Sequence, residues 1–139
     1  MANCPVSIFL MASNKKFDID LKFGLIHEQK IKDLFEGKGK IEVKAERDKW
    51  KSTGNMVIEI NYKGRDSGLY ATKADWWIHI FTSDGNVAMA LMIPVNNLKR
   101  LMVSLLDKGV ARVVYGGDNN NSKLILAPIV EVVKHSTKL

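Results

Sequence analysis

A chain of 139 residues, 46% hydrophobic and 26% charged, has the make-up of one ordinary globular domain with its own core; it is not a disulfide-stapled mini-protein, a fibrous repeat or a disordered tail. One cysteine, Cys4, excludes a disulfide framework within the chain and points to a reducing compartment. The formal net charge of +6 favours an anionic partner, nucleic acid first and an anionic membrane surface second.

In chain order, the apolar run "VSIFLMA" near the start is too short to span a bilayer and has no basic residues before it, so it reads as a strand and not as a signal or anchor. "FDIDLKFG" alternates Phe17, Ile19, Leu21 and Phe23 with charged residues, the period of a half-buried strand. From Leu25 to Glu36 the apolar positions Ile31, Leu34 and Phe35 predict a first helix that stops at Gly37 and Gly39. Two strands follow, Lys40 to Glu46 and Met56 to Tyr62, expected to pair as a hairpin. "ADWWIHIF" and "NVAMALMI" form a second hairpin about the turn "SDGN". Leu98, Leu101, Met102 and Leu105 then make the stripe of a core-facing helix that ends at Gly109. "ARVVYGG" and "KLILAPIV" close the chain as a third strand pair about "DNNNS". The expected fold class is α+β, or mixed α/β, in a single domain over residues 1–139 with helices flanking one central sheet.

The stretch "GKIEVKAERDKWKSTGNMVIEIN" carries the charge pattern of most interest. With Ile41, Val43 and Ala45 on one face of the first strand, Glu42, Lys44 and Glu46 share the other. On the second strand Met56, Ile58 and Ile60 point one way and Val57, Glu59 and Asn61 the opposite way. Symmetric pairing of the two strands sets Glu42 across from Glu59, with Lys44 at diagonal reach. Two facing carboxylates repel unless a proton or a cation stands between them, and a divalent ion is the natural remedy. Mg²⁺ takes one or two carboxylates and keeps waters for substrate phosphate oxygens, while a nearby lysine can orient the attacking water or neutralise developing charge. The plainer alternative is a solvated strand face. Glu28 lies on the apolar stripe of the first helix, where an unpaired carboxylate is costly, and it is a candidate to join the acids on the sheet. His27, on the other margin of that stripe, reads as a packing residue.

A helix with an inward glutamate, then "IEVK", "TGNMVIEI" and "SGLYATKADWW", resembles the PD-(D/E)XK nuclease superfamily, and more narrowly its small phage-type endonucleases, over roughly Asp18 to Phe81. The resemblance implies a restriction-endonuclease-like αβββαβ core, dependence on Mg²⁺ or Mn²⁺, and hydrolysis of DNA phosphodiesters by a water nucleophile, as in restriction-like and junction-resolving enzymes. It implies catalytic roles for Glu28, Glu42, Lys44, Glu46 and Glu59, with Glu42, Glu46 and Glu59 as metal ligands. No Pro-Asp dipeptide precedes the motif. One register therefore makes Glu42-Val43-Lys44 the motif and borrows Asp18 or Asp20. The preferred register takes Glu46 or Glu42 as first acid and Glu59 as second; Asn61 then stands where lysine is expected and Lys44 supplies the amine. Asp48 substitutes for Glu46 if the strand ends early.

Lys49, Lys51, Lys63 and Arg65, at the ends of the two strands, with Ser67, Thr72 and Lys73 in the following connection, are candidates to hold the backbone of duplex or branched DNA. Both Trp76 and Trp77 are read first as core residues. No zinc spacing, P-loop, calcium loop or covalent-nucleophile motif occurs. The expected protein is a metal-dependent endonuclease without a membrane partner, working as a homodimer in the cytoplasm, that of the host if it is phage-encoded. The alternative is a catalytically degenerate nucleic-acid-binding module on the same fold, and a third reading is a basic interaction protein that keeps only the fold.

Overall fold

The computed structural model describes residues 15–136 of the chain. The chain divides into two compact units, Met1–Lys38 and Gly39–Leu139. "VSIFLMA" lies outside the described residues.

In the first unit, α1 spans Lys15–Asp33 and runs into a π-helical turn, Leu34–Lys38. The turn closes at Gly37, whose φ of 83° is a conformation glycine adopts without cost. The strand expected over "FDIDLKFG" is instead part of this helix. Ile19 and Phe23, four residues apart and both more than 60% exposed, show why the alternation misleads: no buried strand face lies beneath it. At its end, the Asp33 carboxylate accepts from Gln29 Nε2 at 2.7 Å and from Lys38 Nζ at 3.2 Å, and these bonds, Gln29's first, hold it below the usual carboxylate range. His27 stacks at a tilt on Phe23, ring centroids 4.2 Å apart, a packing role as expected.

The second unit contains β1 (Ile41–Glu46), α2 (Trp50–Thr53), β2 (Asn55–Tyr62), β3 (Arg65–Asp66), α3 (Gly68–Ala71), β4 (Trp76–Ser83), β5 (Asn86–Pro94), α4 (Val95–Asp107), β6 (Arg112–Gly116), β7 (Ser122–Pro128) and α5 (Ile129–His135). The class is α+β, and the strands fall into two hydrogen-bonded sheets where the sequence suggested one. A mixed sheet has the order β1-β4-β5 and an antiparallel sheet the order β3-β2-β7-β6. The expected β1–β2 hairpin does not form. Strand β1 runs parallel to β4, and β2 pairs antiparallel with β7, so Glu42 lies beside Trp77 and Glu59 beside Leu124. The residues between β1 and β2 are not a turn but the helical segment α2, which ends at Gly54 in the left-handed region (φ 69°). Its Trp50 is tied to β4: the indole N–H donates to the Thr82 carbonyl at 2.8 Å and the ring meets Phe81 edge-on. That anchor carries the chain from one sheet to the other.

The predicted core helix is α4. Leu98, Leu101, Met102 and Leu105 are all buried, and α4 lies against β4, β5 and β7. Met56, Ile58 and Ile60 of β2 and Ile125 and Ala127 of β7 complete this core together with Trp77 and Phe81 of β4. The other two hairpins form as expected. Asp84 and Gly85 turn β4 into β5 with φ of 51° and 81°, the positive pair that a two-residue hairpin needs, and a 3₁₀ turn at Asp118–Asn120 joins β6 to β7.

One correction concerns the faces of β1. In the parallel register Glu42, Lys44 and Glu46 stand beside Trp77, His79 and Phe81, each at most 1% exposed. Residues paired across neighbouring strands share a face. The charged side of β1 is therefore the side it shares with these buried residues: Glu46 is tucked in at 13% exposure while the Lys44 and Glu42 side chains reach out to 46% and 33%, and Val43 and Ala45 on the opposite side are exposed too. Among the described residues no helix is long and apolar enough to cross a membrane.

A candidate acidic cleft

The charged face of β1 converges with the face of β2 that carries Val57 and Glu59. Lys44, Glu46 and Glu59 line one cleft of about 260 Å³, walled by Trp77 and His79 of β4 and by Ala45, Val57 and Leu124. It brings together three of the five residues expected to be catalytic.

Glu46, the last residue of β1, is held by partners on two other strands, β2 and β4. Its backbone carbonyl accepts from Thr82 Oγ1 at 2.8 Å, and its Oε1 accepts from the backbone N–H of Val57 and lies 2.7 Å from His79 Nε2. The Trp77 indole settles the tautomer. Its N–H can only donate, and it points at His79 Nδ1 from 3.1 Å, so Nδ1 accepts and the ring proton sits on Nε2, donated to Glu46. This line of Trp77, His79 and Glu46 saturates one carboxylate oxygen and leaves Oε2 without a hydrogen bond among the described residues. The side chain is only 13% exposed.

Glu59 is seated differently. Ser67 Oγ donates to its Oε1 at 2.7 Å and Ser122 Oγ to its Oε2 at 2.9 Å. The β2–β7 register slips between Glu59 and Asn61, an irregularity of the kind that re-aims a side chain. Behind it Gly68 packs so closely that a Cβ there would lie 2.1 Å from the Glu59 carbonyl oxygen, and its φ is 49°. Gly68→Ala is expected to force β2 and α3 apart, costing roughly 1–3 kcal/mol or more and loosening the Ser67 bond to Glu59. A thermal melt that matches the wild type would show that the contact relaxes freely.

Lys44 Nζ pairs with Glu42 Oε1 at 2.8 Å, and Thr72 Oγ1 lies 3.5 Å from Glu42 Oε2. Glu42 thus stands on the far side of Lys44 from Glu46 and is not among the cleft residues. Asp48 serves structure: it accepts the Asp84 N–H at 2.8 Å and pairs with Lys51 at 3.2 Å, and these contacts, Asp84's first, keep its carboxyl below the usual range. Glu28, Asp18 and Asp20 are exposed residues of α1, in the other unit.

The expected DNA contacts disperse. Ser67 bonds to Glu59, Thr72 lies against Glu42 and Lys51 pairs with Asp48, while Lys63, in the β2–β3 turn, sits 5.3 Å over the Tyr62 ring. Arg65 is exposed on β3, Lys73 is exposed after α3, and Lys49 is exposed beside α2. Sequence reasoning passed over His79, Trp77 as its partner, and Ser122. The signal was present in "WWIHIF", where a histidine alternates with Trp77 and Phe81 and so must find polar partners on a buried face.

Comparison of the chain with protein-family models, curated proteins and solved structures finds no match. The donor chemistry of the cleft suits a hard cation: carboxylate and hydroxyl oxygens, with the one nearby imidazole already committed to Glu46. Among the described residues no three acid, histidine or cysteine side chains stand together as a ready-made metal cage. Carboxylate oxygens completed by water are the donors that Mg²⁺ or Mn²⁺ takes, whereas a structural zinc takes a closed set of four protein ligands.

Proposed function

We propose that the protein is a metal-dependent DNA endonuclease whose site is the cleft between β1, β2 and β4. The reading is carried by one observation: Lys44, Glu46 and Glu59 line one cleft, with Glu46 clamped through one oxygen by a buried tryptophan–histidine pair. A strand face meant only for solubility needs no such support.

Glu46 and Glu59 would hold Mg²⁺ or Mn²⁺, which when bound supplies Lewis acidity toward a phosphate oxygen and a more acidic water. Lys44, kept in place by Glu42, offers a cation to the charge that grows on the phosphate. Ser67 and Ser122 fix the Glu59 carboxylate while each of its oxygens retains a free lone pair. Val57 and Leu124 narrow the cleft from its apolar side. The net charge of +6 favours a polyanion.

A second reading, a DNA-binding module without catalysis, is favoured by the pairing of Lys44 with Glu42 and by Asn61 in the position where a lysine is expected. Incubation with supercoiled plasmid and with branched DNA separates the two. Nicking or cutting is expected with Mg²⁺ or Mn²⁺ and none in EDTA. Undiminished cleavage in EDTA defeats the mechanism, and binding without cleavage of any DNA form selects the module.

A further inference from the structure

A second cavity, of about 460 Å³, opens on the same side of the antiparallel sheet and shares Glu46, Val57 and Leu124 with the acidic cleft. Its floor is apolar. Val57 pairs with Leu126 across β2 and β7, and Leu124 pairs with Val114 across β7 and β6, so all four side chains rise from one face. Trp50 also lines it, half-buried and immobilised by its hydrogen bond to Thr82 and its edge contact with Phe81. The size lies within the roughly 300–1,000 Å³ usual for ligand pockets.

The border has the opposite character. Arg47 and Lys49 lie on it, and neither forms an ion pair among the described residues. The Asn55 side-chain amide, on the same lining, makes no hydrogen bond among the described residues, where only its backbone N–H is engaged, by Thr53. An apolar floor with an aromatic wall does not suit a phosphate. Free cations at the border, with an unpaired amide beside them, do not suit a purely apolar guest. A nucleotide combines the two: a flat ring with polar edges on an anionic backbone, the combination that single-strand binders meet with aromatics and a basic groove.

We propose that this cavity receives an unpaired nucleobase of the strand whose phosphate enters the acidic cleft, so that the preferred substrate is DNA with a pairing defect, such as a gap, flap or branch point. In an intact duplex every base is stacked and its edge paired, and filling the cavity costs the energy of extruding it; at a defect that cost is already met. The inference rests on reading the cleft as a DNA site, and not on its chemistry.

The test is binding of the full chain, in EDTA, to two fluorescein-labelled DNAs of equal length: an intact duplex, and the same duplex with a few unpaired nucleotides at its centre. The interrupted DNA is expected to bind tighter on the order of tenfold, the scale of one base stacked on an aromatic side chain. Val114→Phe or Leu126→Phe, which fill the cavity from two strands, should abolish the preference and leave duplex affinity in place. Equal affinity of the wild type for both DNAs overturns the proposal, and so does a preference that survives both filled variants. If a variant loses duplex binding as well, the wild-type comparison alone decides between the two outcomes. Cleavage is scored separately. A chain that cuts DNA without the preference keeps the nuclease reading and loses this one, and a chain that prefers the defect but never cuts does the reverse.

Discussion

Glu59→Gln is expected to lower metal-dependent cleavage by a factor on the order of 10² or more while leaving DNA binding intact. The substitution keeps the shape of the side chain and removes its charge. It is also tolerable where it sits, because both partners of Glu59 are serine hydroxyls, which turn to donate to an amide oxygen or accept from an amide nitrogen. The variant therefore reports on charge and not on folding. Lys44→Ala should act in the same direction, since it removes the cation from the cleft and also releases Glu42 from its ion pair. Initial rates on plasmid in Mg²⁺ and Mn²⁺, beside affinity measured in EDTA, check both. Wild-type rates in the two variants together would return the cleft to a structural role.

How far the sequence already contained this site depends on which interactions are local. Hairpins with two or three turn residues, such as Asp84-Gly85, and the apolar stripe of α4 are written in adjacent residues and were readable. The partner of β1 was not. Nothing within Ile41–Glu46 distinguishes an antiparallel neighbour one connection away from a parallel neighbour reached only after β2 and β3; the contacts that join β1 and α2 to β4, those of Glu46 with His79 and Thr82 and of Trp50 with Thr82, all span more than 30 positions. The neighbour also decides which face of β1 meets the rest of the fold. Strand periodicity separates the two faces correctly but carries no label for that one: Val43 and Ala45 are exposed, and the residue of β1 drawn furthest in by its side-chain bonds is the charged Glu46.

The acids show the same limit at finer grain. Glu46, Lys44 and Glu59 were legible as candidates because their alternation puts them on defined faces, yet their meeting is not the facing pair that a hairpin would give. It arises because the end of β1 and the start of β2 touch through the Glu46 side chain and the Val57 N–H, after a detour through α2. Ser122 stands 63 positions from Glu59, a separation no local pattern bridges. Gly68, beside Ser67, also serves this site, because its conformation and its lack of a Cβ let α3 press on Glu59.

His79→Leu is expected to weaken the effect of Mn²⁺ on the protein 10–100-fold, the usual range for loss of a group that orients a metal-binding carboxylate. The substitution removes the Nε2 proton that His79 gives Glu46 and leaves the buried Trp77 N–H without an acceptor, a destabilisation of about 1–3 kcal/mol. Because a loss of stability alone could lower activity, the measurement is the Mn²⁺ dependence of binding, by calorimetry well below the melting temperature, and of cleavage. His79→Gln retains an amide N–H that reaches toward Glu46 and should recover part of the Mn²⁺ response that leucine loses. Trp77→Phe leaves His79 in place but removes the donor that fixes its tautomer, so the ring proton is free to sit on Nδ1 and the Nε2 bond to Glu46 is no longer guaranteed. It should therefore fall between the other two. Unchanged Mn²⁺ affinity in His79→Leu would mean that β1 and the Val57 N–H alone orient Glu46, and the tryptophan–histidine pair would then be only a buried structural bridge.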